Sequence, residues 1–406
     1  MALARSVGDF SGAAEMAIEL ALALHWAGEL DEAIAESTRW GIEGFGVALR
    51  AVRGTSAFLL GRWSEAEEWM EAALGGEARG LAGVMANGAR GNLHLARGEL
   101  DSAADHFEIV LLMCRNFSAT AYGWSDLYSS IASLLIARGQ PSEAIESVRE
   151  SLTRSAQPER DIHMRVCHRL GIRAAADIAE IARPMGDAAR LEEALAIGHE
   201  FDALQEHHTR MVRALPGGGD PHLALDVALA KAELSRLVGP SSAEAWASAA
   251  AAAIELKHPY EAAYCRFRQA EALLLSRGAR GKAQAAAADA YRIAGEMGAI
   301  PLQRELEGLA ARSRLDLEPL PTAAPAAPEA SPTAAMPFGL TPRERDVLER
   351  VTRGRTNREI AAELFISEKT ASVHVSNIKS KLGATGRAEI AAIAVRLALV
   401  PDDLDA

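Results

Sequence analysis

A short unit recurs along the first three quarters of the chain, in which an alanine follows a glycine by five residues. The pairs are Gly28 and Ala33, Gly61 and Ala66, Gly98 and Ala103, Gly139 and Ala144, and Gly278 and Ala283. The first four glycines are 33, 37 and 41 residues apart, close to the 34-residue tetratricopeptide period. We expect each glycine to end a helix in the left-handed conformation and each alanine to permit close helix packing. This pattern predicts stacked helical hairpins.

Polar residues are expected to open the helix that follows each of the better-defined corners. They are Asp31, Ser64, Asp101 and Ser142. The repeat is less regular between about 155 and 275, where Gly186 and Gly239 still mark hairpin corners. Residues 1–315 are therefore predicted to form an all-α, tetratricopeptide-like superhelix. The faces of such arrays commonly bind peptides, proteins or small effectors.

Aromatic residues are concentrated in the first half of this array. They are Trp26, Trp40, Trp63, Trp69, Trp124 and Tyr128. Packing at the seams between repeats is the favoured interpretation, and a groove for an effector is the alternative.

A segment rich in proline and alanine, residues 316–338, separates the array from the C-terminal part. Six of the sixteen prolines of the chain lie between Pro319 and Pro337. This composition favours an extended spacer over a packed element. A proline-rich ligand for a partner domain is the less favoured alternative.

The C-terminal part, residues 339–401, carries the pattern of four short helices. Thr341, Pro342 and Glu344 form a capping-box sequence at the start of the first, and Gly354 ends it. Thr356 or Asn357 begins the second helix. The third is predicted over roughly Glu368 to Leu382, and the fourth over about Arg387 to Leu399. The second and third helices would form a helix-turn-helix, which places one helix in the DNA major groove.

The distribution of charge also points to a nucleic acid as the partner. The segment from Gly339 to Val400 contains eleven Lys and Arg against seven Asp and Glu, whereas the whole chain has a net charge of −12. A basic module within an acidic chain is typical of a protein that binds nucleic acid.

The stretch from Leu340 to Val400 resembles the LuxR-type helix-turn-helix domain of bacterial transcription regulators. The resemblance rests on Leu340–Glu344, Gly354–Ala361, Ile366–Thr370, His374, Ile378, Lys381–Leu382 and Arg387. It implies that Ser372, Val373 and Ser376 face base edges. It also implies that seven residues lie near phosphates: Thr356, Asn357, Lys369, Thr370, Lys379, Lys381 and Arg387.

The sequence departs from the family pattern in the third helix and shortly after it. Ala371 and Ala384 stand where valine is usual, and Ser372 and Ser376 stand where many relatives carry lysine. With fewer cations on the base-reading helix, we expect weaker non-specific binding, a shallow salt dependence and more reliance on dimerisation.

The resemblance implies double-stranded DNA and RNA polymerase as partners, and a dimer on DNA. The array also resembles the last repeats of large ATP-binding LuxR-type regulators, but no Walker sequence is present. The chain is expected to be either a natural short member of that group or a truncated gene product. The alternative function is a scaffold protein whose terminal module no longer reads DNA.

Other classes of function are not favoured by the sequence. His163, Cys167 and His168 could begin a zinc site, but no second ligand pair follows at the usual spacing. We expect no metal, no cofactor and no enzymatic activity, since no catalytic motif is evident. The three separated cysteines, the absence of a signal peptide and the lack of a long apolar run predict a cytoplasmic protein without a membrane span.

Overall fold

The structure is a computed structural model, and its secondary structure is helical throughout the residues that it describes. These residues are 24, 29, 31–32, 46–75, 80–116, 122–155, 161, 164–214, 221–275, 279–317, 342–364, 368–382, 384 and 386–396. No strand occurs within these ranges. Two compact units are distinguished, Met1–Thr322 and Ala323–Ala406.

In the described part of the first unit, successive helices pack against each other in pairs, as the repeat pattern predicts. We number its described helices α1 to α13. They are α1 Gly46–Leu59, α2 Trp63–Leu74, α3 Gly80–Arg97, α4 Leu100–Asn116, α5 Tyr122–Ala137, α6 Pro141–Arg154, α7 Met164–Met185, α8 Ala188–Arg213, α9 Pro221–Val238, α10 Ala243–Glu255, α11 Pro259–Leu274, α12 Arg280–Met297 and α13 Ile300–Ser313.

The glycines at the corners adopt the conformation that the sequence predicts. Gly61, Gly98 and Gly139 have φ angles of 74°, 86° and 72°, in the left-handed region. Gly186 also marks a left-handed corner, with a φ angle of 67°. Gly28 and Gly278 lie outside the described residues.

The helices after these corners begin earlier than the polar residues suggested. Helix α2 begins at Trp63 rather than Ser64, and α6 begins at Pro141 rather than Ser142. At the corner formed by Gly61, the backbone N–H of Arg62 donates to the carbonyl of Ala57 over 2.9 Å. This bond is the outer one of a Schellman turn, and Arg62 is then the N-cap of α2. The predicted opening serines therefore lie within the first turn.

The first and last described hairpins of this unit share one hydrophobic core. Trp63 is only 2% exposed, and its ring lies 5.8 Å from that of Tyr260 on α11. Leu93 of α3 and Leu306 of α13 are fully buried in the same cluster. A methyl group added at Gly61 would lie 2.5 Å from Cγ of Pro259. The corner between α1 and α2 is therefore in close contact with the start of α11. Helices far apart in sequence therefore depend on each other for burial.

The other aromatic residues singled out in the sequence are partly covered where the structure describes them. The guanidinium of Arg53 lies 3.5 Å from the Trp69 ring centroid, and that of Arg154 lies 4.9 Å from the Trp124 ring. Trp124 stacks on Tyr128 at a centroid separation of 6.0 Å. Trp26 and Trp40 lie outside the described residues.

The second unit contains four short helices around a small core. They are α14 Pro342–Thr352, α15 Asn357–Leu364, α16 Glu368–Leu382 and α17 Arg387–Arg396. The core is formed by apolar side chains from all four helices and by Ala384 between α16 and α17. The helical members are Val347, Leu348, Val351, Ile360, Ala361, Ala371, Ile378, Ile390 and Ala394. These boundaries agree closely with the predicted ones. Thr341 and the predicted turn at 365–367 lie outside the described residues, as do nearly all of residues 316–338.

None of the helices in the described ranges is both long enough and apolar enough to cross a lipid bilayer.

Candidate nucleic-acid interface

Helix α15 begins at a complete capping box. Gly354, with a φ angle of 75°, ends the preceding helix, and Thr356 then takes the N-cap position. The backbone N–H of Thr356 donates to Oε2 of Glu359 over 2.7 Å, and the Glu359 N–H donates to the Thr356 hydroxyl over 3.3 Å. These bonds satisfy two backbone donors and fix the direction in which the helix starts. The Thr356 N–H and the Thr356 hydroxyl both donate to the Glu359 carboxylate, and these two bonds hold its pKa below its usual value.

Helix α16 has one face in the core and the opposite face in solvent. Ala371 and Ile378 are fully buried and are seven residues apart, which places them on the same side of the helix. Ser372 and Lys379 have the same spacing and are both exposed. The buried pair therefore orients the exposed pair outward, as the helical pattern predicts.

A polar bridge joins the start of α17 to the start of α15. The Arg387 guanidinium donates to Oδ1 of Asn357 over 2.8 Å and also donates to the backbone carbonyl of Arg355. Partial burial lowers the pKa of Arg387 from its ordinary value. Two residues that the family resemblance assigns to phosphates are thus hydrogen-bonded to each other in this structure.

The remaining predicted site residues divide into those with described side chains and those without. Lys381 is exposed near the end of α16, and Thr356 is exposed at the cap. The side chains of four residues lie outside what the structure describes, although all four belong to α16: Lys369, Thr370, Val373 and Ser376. None of the predicted DNA-contacting residues was assigned a role in binding a cofactor or a metal.

The structure adds charged residues that sequence analysis did not single out. The Glu363 carboxylate on α15 forms ion pairs with the Nε atoms of Arg350 and Arg355, over 3.2 Å and 2.9 Å. It therefore offsets part of the positive charge of this unit and ties α15 to the end of α14. Arg358 in the first turn of α15 is exposed. Arg358 follows Asn357, a predicted phosphate contact, and this position in the sequence could have identified it.

Among the residues weighed as the start of a zinc site, Cys167 and His168 are buried in the part of the chain that is described. Cys167 is fully buried, and its thiol lies 3.4 Å from the Ser151 hydroxyl. Burial raises the pKa of this thiol to about 12, so it is a poor thiolate ligand. His163 lies outside the described residues. No group of three or more metal-binding side chains occurs among those described.

Comparison with known proteins identifies the C-terminal unit. The family profile GerE, bacterial regulatory proteins of the luxR family, matches residues 339–394. The spore germination protein GerE of Bacillus subtilis is 54% identical over 50 residues, which are 12% of this chain and 68% of that protein. The match lies on the unit that contains α14 to α17.

Other relatives match over a smaller share of their own length. The uncharacterized transcriptional regulatory protein YhcZ of Bacillus subtilis is 51% identical over 59 residues, which are 14% of this chain and 28% of that protein. The transcriptional regulatory protein LiaR of the same organism is 46% identical over 61 residues, or 15% of this chain and 29% of that protein. The chain thus spans less than a third of these two relatives.

One solved structure is similar over most of the chain, but only distantly. It is that of a Rap protein complexed with Competence and Sporulation Factor, with 12% sequence identity and a TM-score of 0.45. The similarity covers 94% of this chain and 99% of that one. A score at this level supports no inference about binding.

The matches in sequence and the geometry of the unit agree. A capped helix α15, an outward-facing α16 and a common core form the arrangement that the family resemblance predicted. With two thirds of the GerE protein covered at 54% identity, the chain belongs to the luxR family of bacterial regulatory proteins.

Proposed function

We propose that this protein is a sequence-specific DNA-binding transcription regulator whose helical-repeat arm acts as a sensor or protein-interaction module. The observation that carries the proposal is the exposed face of α16, with Ser372 and Lys379 turned outward by the buried Ala371 and Ile378. Membership of a family of regulatory proteins supports the same function. In this proposal α16 lies in the major groove.

The proposed contacts follow the residues of α15, α16 and α17. Ser372, Val373 and Ser376 read base edges. The phosphate contacts are made by Thr356, Asn357, Lys369, Thr370, Lys379, Lys381 and Arg387. Within this set, Asn357 and Arg387 act together, because the hydrogen bond between them fixes both side chains. Phosphate contacts set the register of the protein on the duplex, whereas base contacts select the sequence.

The proposal includes the three-part organisation inferred from the sequence. Residues 1–315 form the repeat arm, 316–338 the Pro/Ala-rich linker, and 339–401 the DNA-binding domain. On DNA the protein is a dimer that reads two half-sites about one helical turn apart. RNA polymerase is the proposed downstream partner, and an effector or a second protein binds the repeat arm.

In vitro selection with the full-length protein tests the proposal. The expected result is a recurring sequence motif with two related halves, protected in a footprint. Ser372→Glu should weaken binding to the selected site by at least about tenfold, because a carboxylate would face the DNA. Ser102→Glu is the matched control, since Ser102 is also exposed but lies on α4 in the other unit. Selection of no common sequence, or equal binding by both variants, would contradict the proposal.

A further inference from the structure

The first helices of three successive hairpins, α7, α9 and α11, are joined by a network of charged side chains. Five arginines take part: Arg165, Arg169, Arg173, Arg236 and Arg268. Five carboxylates accompany them: Asp177, Glu180, Asp226, Glu233 and Glu271. The numbers are equal, but the carboxylates are unevenly shared among the arginines.

Arg236 contacts three of the five carboxylates in this network. Its guanidinium bonds to Asp177 over 2.6 Å, to Glu180 over 2.8 Å and to Glu233 over 2.8 Å. This arginine is nearly buried, with a side chain only 2% exposed, so it needs strong compensation.

On α7, two arginines one turn apart share a single carboxylate. The Nε atoms of Arg165 and Arg169 lie 2.5 Å and 2.9 Å from the two oxygens of Asp226. The next position on the same face, Arg173, has no carboxylate of its own. Its Nε atom lies 4.0 Å from Oε1 of Glu233, which is the limit of an ion pair.

That Glu233 oxygen is already engaged. The Tyr264 hydroxyl donates to it over 2.7 Å, and burial raises the pKa of this phenol to about 12, so it stays protonated. The other oxygen of Glu233 accepts from Arg236. Among the residues that the structure describes, the Arg173 guanidinium therefore makes no hydrogen bond, and its Nε is buried without an acceptor.

Arg173 is nevertheless held in place. Its guanidinium carbon lies 4.5 Å from the Tyr264 ring centroid, and that of Arg268 lies 5.6 Å from the same ring. Stacking on an aromatic face leaves the edge donors of a guanidinium available. The Arg173 side chain is 28% exposed, more than the 19% of Arg169 or the 17% of Arg268. The stacking thus preorganises the guanidinium, and its side chain is partly accessible although Nε itself is buried.

We propose that Arg169, Arg173 and Arg268 form a binding site for a small oxyanion, with Arg173 as the principal ligand. A carboxylate or phosphate group would accept the two parallel hydrogen bonds that the guanidinium fork offers. The charge-assisted geometry selects an anion over a neutral molecule of the same size.

Only the role of the anion as an effector of the repeat arm rests on the proposed function. Binding of the anion can be measured without DNA. A failure of the site and a failure of the regulator function are therefore separate results.

Isothermal titration of the full-length protein with succinate, and separately with inorganic phosphate, tests the site. Sodium chloride at matched ionic strength serves as the reference. We expect saturable binding of one of the two probes, and the stronger one identifies the oxyanion class. Arg173→Gln should weaken that binding at least about tenfold, the usual effect of losing a hydrogen bond to a charged group. Arg292→Gln on α12 is the matched control, because Arg292 is 47% exposed and lies outside the network.

Tyr264→Phe provides a second variant that keeps the stacking ring. Without the phenol, Oε1 of Glu233 becomes free to accept from Arg173, so the anion should bind several-fold more weakly. Circular dichroism establishes that each variant is folded. No saturable binding of either probe to the wild-type protein would overturn the site. Binding that persists unchanged in Arg173→Gln and Tyr264→Phe would place the anion elsewhere and would equally overturn it.

Discussion

At the scale of single residues, Lys379 and Ser372 occupy the same exposed face of α16 but are expected to contribute differently to DNA binding. A lysine at a phosphate contributes through charge, and its loss affects all sequences similarly. A serine at a base edge contributes through hydrogen bonds that depend on the base. The two roles can be separated by the salt dependence of affinity.

Lys379→Ala should weaken binding to every DNA sequence and reduce the slope of log affinity against log salt concentration by about 1. Ser372→Ala should leave the slope unchanged and alter the preferred sequence. Titrations with different DNA sequences, at salt concentrations from about 50 to about 200 mM, measure the slope and the sequence preference. A changed slope in Ser372→Ala, with none in Lys379→Ala, would reverse the assignment.

Sequence reasoning at this scale found the exposed face of α16 because helical periodicity alone fixes which residues share a face. It could not find the bond between Arg387 and Asn357, which joins residues 30 positions apart. It also missed Glu363, because the acid is close to Arg350 and Arg355 only after the helices pack. Long-range ion pairs have no local signature in a sequence.

At the scale of elements, close helix packing makes some glycines irreplaceable and others not. Gly171 lies within α7, and a methyl group added there would lie 2.4 Å from Cδ2 of the buried Phe201 on α8. Gly88 lies within α3, and a methyl group there would meet nothing within 4 Å. The two positions form a matched pair for testing the α7–α8 contact.

Gly171→Ala should lower the free energy of unfolding by roughly 1–3 kcal/mol, because Phe201 must move from a filled core. Gly88→Ala should raise it by about 0.5–1 kcal/mol, since alanine restricts the unfolded chain and favours the helix. Urea titrations monitored by circular dichroism measure both values. A stabilising Gly171→Ala would show that the two helices pack less closely than described.

The same helix pair contains a buried histidine that makes stability depend on pH. His168 is 3% exposed, and its ring centroid lies 5.8 Å from that of His208. Burial, followed by the nearby His208, lowers the pKa of His168 to about 3. Because the unfolded chain binds a proton near the ordinary value of 6.5, stability should fall as the pH falls from there toward 3.

From pH 7 to pH 5 this one histidine should remove roughly 2 kcal/mol from the free energy of unfolding. The His168→Leu variant should lose correspondingly less over the same range, whatever its stability at pH 7. Urea titrations at the two pH values give the comparison. An equal loss in both proteins would assign the acid sensitivity to other groups, of which His106 is one, because burial lowers its pKa to about 4.

Element boundaries in the first unit were largely predictable from the glycine corners, since a left-handed residue ends a helix wherever it occurs. The starting points were not, because the Schellman turn at Gly61 makes Arg62 the N-cap, two residues before the serine that cap preferences favour. Cap preferences describe isolated helix ends, whereas the hydrogen bonds of the turn decide the start within a tight hairpin.

At the scale of the whole repeat unit, the main property that the repeat pattern did not predict is the shared core of the first and last hairpins among the described residues. A repeat period predicts contacts between neighbours only. Nothing in the sequence indicates that Leu93 and Leu306, more than 200 positions apart, belong to one cluster. This long-range burial should make the unit more cooperative than an open array of the same length.

Leu306→Ala tests this coupling, because Leu306 is fully buried on α13. The substitution should cost about 2–5 kcal/mol, and hydrogen exchange should show faster amide exchange in α3 as well as in α12 and α13. Helix α8, which lies outside this cluster, serves as the internal reference and should change least. In an open array the effect would instead decay along the sequence from the mutated repeat. Faster exchange confined to α12 and α13 would therefore show that the first and last described hairpins are energetically independent, despite their contact.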